Sequence, residues 1–114
     1  MTIKELREKV NTALSVQISI HDEDWKRLGH DAKVIEVTGT PEEVNRATVK
    51  LINDGMLVAA KTVAIVLFAN SEDSFQVMGA IPTEDLSASG ANLFYGICCN
   101  PLESGKVEMY IGHN

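Results

Sequence analysis

The chain has 114 residues, 45% of them hydrophobic and 23% charged, proportions of a globular protein that exclude a disordered or fibrous chain. A formal net charge of −6 repels phosphate polyanions and anionic membrane surfaces, so neither nucleic acid nor a membrane is the expected partner. At this length one domain, residues 1–114, is expected.

The first predicted helix spans residues 3–14. Thr2 and Glu5 have the spacing of a capping box, and Ile3, Leu6, Val10, Ala13 and Leu14 form one apolar stripe. "SVQISI" then alternates, with Val16, Ile18 and Ile20 on one side, which predicts a strand buried on one face. In "HDEDWKRLGHD" Asp22 is the expected cap of a short helix that ends at Gly29, with Trp25 and Leu28 anchoring it. "KVIEVT" is the second strand. Gly39 turns the chain, Thr40 caps, Pro41 occupies the first helical position and Glu43 completes a second capping box. Val44, Ala47, Thr48, Leu51 and Ile52 make the inward stripe of this helix, which Gly55 closes.

Beyond Met56 the pattern becomes that of strands. "KTVAIVLFA" and "FQVMGAIP" around "NSEDS" predict a hairpin over residues 62–82, and "LFYGICC" and "KVEMYIG" around "NPLESG" predict a second. The expected class is α+β: one mixed, mainly antiparallel sheet of about six strands with two main helices packed on it.

Charge is unevenly divided. Residues 1–55 hold eight Lys/Arg and ten Asp/Glu, whereas residues 56–114 hold only Lys61 and Lys106 against six acids. Strands this poor in charge need both faces covered, by helices, a second sheet or another subunit, so homo-oligomerisation is among the expectations. The opening "MTIKELREKV" is charged throughout and lacks the order of a signal peptide, and "MLVAAKTVAIVLFA" falls short of the ~20 residues that span a bilayer. A cytoplasmic protein is expected. Cys98 and Cys99 are neighbours whose side chains point to opposite faces of a strand, one inward and the other toward solvent, so no disulfide staple is read.

"VIEVTGTPEEVNRATVKLI" resembles the last strand and helix of a KH RNA-binding domain over about 19 residues. That resemblance implies a KH-like nucleic-acid binder, but the family grips nucleic acid with a GXXG loop, and "RLGHD" supplies one glycine only, so no functional residue carries over.

His21, Asp22, Asp24, His30 and Asp31 crowd one stretch. Their spacing matches no compact ligand set, and caps and a solvated turn account for them, so no metal or cofactor is expected. A nucleophile reading joins Cys98 or Cys99 to His30 or His113, which would make a small enzyme with its site at a subunit interface, Cys99 being the favoured thiol. "TEDLSASGAN" offers Ser87, Ser89, Gly90 and Asn92 to a small polar ligand, and Trp25 is either a core residue or a partner-facing anchor. The favoured function is a small acidic non-catalytic binding or assembly module for a protein partner or small polar ligand, of inhibitor or immunity type among other possibilities.

Overall fold

A computed structural model of the chain describes residues 1–70, 72, 76–88 and 90–114. In chain order the elements are helix α1 (Ile3–Asn11), strand β1 (Ser15–Ile18), helix α2 (Asp22–Leu28), strand β2 (Lys33–Gly39), helix α3 (Pro41–Asn53) and strand β3 (Thr62–Ala69). A 3₁₀ segment (Gln76–Ala80), helix α4 (Thr83–Ala88) and strands β4 (Asn92–Cys99) and β5 (Val107–His113) follow. The fold is α+β, with one mixed sheet of five strands in the order β1-β4-β3-β5-β2. Three of its four strand pairs are antiparallel, and only β3 and β4 run parallel.

All eight residues of β3 are buried, because both faces of the sheet are covered by helices. Val63, Ile65, Leu67 and Ala69 pack with Val44 of α3, Val77 and Ala80 of the 3₁₀ segment and Leu86 of α4. Ala64, Val66 and Phe68 pack on the opposite side with Ile3 and Leu6 of α1 and Trp25 and Leu28 of α2. A central strand covered twice has no use for alternation, and this accounts for the continuous apolar run of "TVAIVLFA". The charge-poor strands obtain their cover within the chain. At Gly112 an added Cβ would lie 3.1 Å from Leu28 Cδ2 and 3.2 Å from Ile3 Cδ1, so both helices rest directly on the β5 backbone there.

Several sequence expectations change. Neither predicted hairpin forms: β3 lies between β4 and β5, pairing with both, and "QVMGA" is a 3₁₀ segment rather than a strand. The sheet thus has five strands, close to the expected number of about six. Val77 and Ala80 of that segment, three apart, are buried, a spacing that suits a turn of helix. The tip expected at "NSEDS" falls mainly on residues outside those described.

In β1 the register shifts between Val16, opposite Cys98, and Ile18, opposite Ile97, so these two side chains face opposite sides of the sheet instead of one. Helix α1 stops at Asn11, with Thr12 as its C-cap, and Leu14 is 75% exposed. The N-cap of α2 is His21, not Asp22; the His21 N–H donates to Asp24 Oδ2 at 3.3 Å. Among the described residues no helix is long and apolar enough to cross a membrane.

Candidate functional site

The two edges of the sheet differ. β1 has four residues and a register shift, features that blunt an edge against further pairing. β2 pairs with β5 over its whole length in unbroken register, from Lys33 opposite His113 to Gly39 opposite Val107. Among the described residues β5 is its only strand neighbour, so alternate N–H and C=O groups of β2 point outward from the sheet.

Helix α3 is placed against this edge by local chemistry. Gly39, at φ +147°, turns the chain out of β2 in a conformation that other residues rarely adopt. The Glu43 N–H then donates to Thr40 Oγ1 at 3.2 Å while the Thr40 N–H donates to Glu43 Oε1 at 3.1 Å, closing a capping box ahead of Pro41 at the first helical position. These Thr40 contacts, backbone first, hold the Glu43 carboxyl below its ordinary pKa, helped by Arg46 and opposed by slight burial.

Returning over β2 and, less closely, β5, α3 leaves a groove of about 490 Å³ open at the edge. Ile35 and Val37 of β2 and Ala47 and Leu51 of α3 form its apolar wall, all half-buried, and Lys50 and Asp54 stand on its rim. Glu36 and Thr38 complete the lining, which contains no cysteine and no histidine. It offers apolar surface beside an unpaired strand edge, an arrangement that accepts an extended polypeptide strand.

The sequence matches no protein-family model and no curated protein.

The serine-glycine loop is dispersed. Ser87 is exposed on α4, Gly90 turns with φ +77°, and Asn92 begins β4 with its N–H donating to Lys61 O at 2.9 Å. Ser89 lies outside the described residues. A cleft of about 450 Å³ does adjoin this loop, but Asp85 and Ala88 line it, together with Ile52 of α3 and with Leu57 and Val58 beyond that helix. Trp25 is only 6% exposed and belongs to the core beneath α1 and α2, with the Arg7 guanidinium 6.0 Å from its ring centroid.

Both cysteines are buried, contrary to the expectation that one would face solvent, because β4 has a covered face on each side. Burial, followed by the neighbouring Cys99, pushes the Cys98 thiol up to about 11. Cys99 lies opposite Ala69 at one end of β3 and His113 lies opposite Val63 at the other. Six residues of strand separate them, about 20 Å at ~3.3 Å per residue, so this pair does not meet within the chain. His30 is on the surface beside Asp31, with Nε2 3.4 Å from Oδ1. Among the described residues no group of three or more His, Cys, Asp or Glu could hold a metal ion.

One polar cluster is invisible in the sequence. The Tyr110 hydroxyl lies 3.2 Å from Glu108 Oε1 and 3.4 Å from Glu36 Oε1, and Lys9 Nζ lies 3.4 Å from Glu108 Oε1 and 4.9 Å above the Phe68 ring. Burial, then the two carboxylates, push the Tyr110 phenol well above its ordinary range, so it stays protonated and donates. The cluster ties α1 to β5 and β2. Its members are scattered across the chain, and only the strand register assembles them.

Proposed function

We propose that this protein is a non-catalytic assembly module that binds a polypeptide along β2 and in the groove beside α3, acting in the cytoplasm. The observation that carries this reading is the unbroken seven-residue β2 edge with a half-buried apolar wall next to it. A strand added there would gain main-chain hydrogen bonds from the outward groups of β2 and bury the side chains of Ile35, Val37, Ala47 and Leu51. The largest apolar side chains of the core are buried within the chain itself, and Ile35, Val37 and Leu51 pack against that core while keeping part of their surface in the groove.

Native mass spectrometry of the protein, alone and as Ala47→Glu, tests this. A second polypeptide on the wild type that the variant loses is the expected result, because a carboxylate in the apolar wall opposes docking. A helix tolerates glutamate well, so thermal melting should show the variant folded. A bare monomer, or a small adduct indifferent to Ala47→Glu, would sink the proposal.

A further inference from the structure

We infer that the polypeptide in the groove is a second copy of this chain, paired two-fold through β2 and α3, an inference that rests on the assembly reading above. Strands in a sheet lie about 4.8 Å apart, so a two-fold axis between β2 and its copy stands about 2.4 Å beyond β2. Helix α3 packs on β2 and, less closely, on β5. Lying over the seam between those strands, it would be roughly 4.8 Å from that axis, and the two α3 helices would sit nearly 10 Å apart, within the usual ~8–10 Å of packed helices. Sheet continuation and helix packing are thus satisfied by one arrangement.

The same axis meets both elements at suitable residues. Ala47 is six residues beyond Pro41, about 9 Å along the helix, and Val37 is two residues before Gly39, about 7 Å along the strand. Because α3 runs back over β2 from their shared turn, these two positions come nearly level. At Ala47 the side chain is small enough for the helices to approach. Strand pairing centred on Val37 sets Glu36 opposite Thr38 of the second copy, whereas pairing centred on Glu36 would put two carboxylates face to face.

Charge selects the same orientation. Two antiparallel α3 helices centred near Ala47 bring Glu43 of one to Lys50 of the other, and symmetry repeats the pair. Lys50 forms no ion pair among the described residues, while Arg46 is already engaged with Glu42 at 3.4 Å. A parallel arrangement would oppose lysine to lysine. The β1 edge offers no comparable site, being short and shifted in register.

The test is an Ala47→Cys variant under mild oxidation, read by intact mass, with Lys26→Cys on α2 as a control. Since Cys98 and Cys99 are buried, the introduced thiol is the accessible one. A linked dimer from Ala47→Cys but not from Lys26→Cys is expected, together with a dissociation constant that Lys50→Glu raises roughly three- to ten-fold. The pairing is overturned if the wild type is monomeric throughout the micromolar range and the Ala47→Cys chains do not link. If a different polypeptide is bound instead, and is lost in Ala47→Glu without any link in Ala47→Cys, self-pairing fails while the assembly reading survives. A bare monomer in every case ends both.

Discussion

Cys98 and Cys99 show how far a local rule reaches. Alternation along β4 correctly separates their side chains, but the inference that one of them meets solvent assumed a sheet with an open face. With helices on both sides, neither thiol is more than 1% exposed. A thiol needs exposure and a depressed pKa to react, and Cys98 has the reverse of both. Native protein at pH 8 is expected to leave an aromatic disulfide reagent unreacted, and denaturant should release two equivalents. An immediate native reaction would contradict the packing of β4. For Trp25 the local reading leaves core residue and partner anchor open, and its burial within α2 beside Ile3 and Leu6 of α1 supports the core.

At the scale of elements, β2, Gly39 and α3 form the unit most completely readable in the sequence. Its signals act over three or four residues, between Thr40 and Glu43 or at the φ of Gly39, and need no knowledge of distant strands. Thr40→Ala removes the hydroxyl that accepts from Glu43 and should cost about 1 kcal/mol in urea unfolding, whereas Thr40→Ser should cost much less. An unchanged midpoint for Thr40→Ala would show that α3 is held by packing alone.

Two elements were less legible. "FQVMGAIP" reads as the returning strand of a hairpin, but in the crossover that joins parallel β3 and β4 Gln76–Ala80 form a 3₁₀ segment, with Val77 and Ala80 packed in the core. In β1, the register shift between Val16 and Ile18 cannot be read from alternation, because the sequence pattern assumes the constant register that it breaks. The candidate groove was half legible. Ile35, Val37, Ala47 and Leu51 appear as apolar positions of a strand and a helix, but nothing local distinguishes an edge strand from an inner one.

For the whole molecule, His113 at the end of β5 reports on the integrity of the sheet. Burial, followed by Lys33 on the adjacent strand, lowers its pKa, with the backbone of Asn114 acting the other way. The folded state thus holds this proton less firmly than the unfolded chain does. Its contribution to stability is full above the unfolded value near 6.5 and is lost as pH falls through 6.5 toward the lowered folded value. Urea midpoints should therefore decline as pH is lowered through this window, and His113→Gln should flatten that part of the profile. An equal slope in wild type and variant would remove His113 as its source.

The sequence by itself determined the capping boxes that open α1 and α3, the presence of α2 and most of the strands, together with the class of the fold, because turns of helix and alternation of strands are governed by neighbours a few residues apart. The tertiary structure alone decided that β3 lies between β4 and β5, that both cysteines are covered, and that β2 is left as the long free edge beside α3. Those outcomes depend on pairings between residues tens of positions apart. Several strand orders would bury the same apolar residues, so local chemistry does not choose among them, and the candidate interface exists only once that order is set.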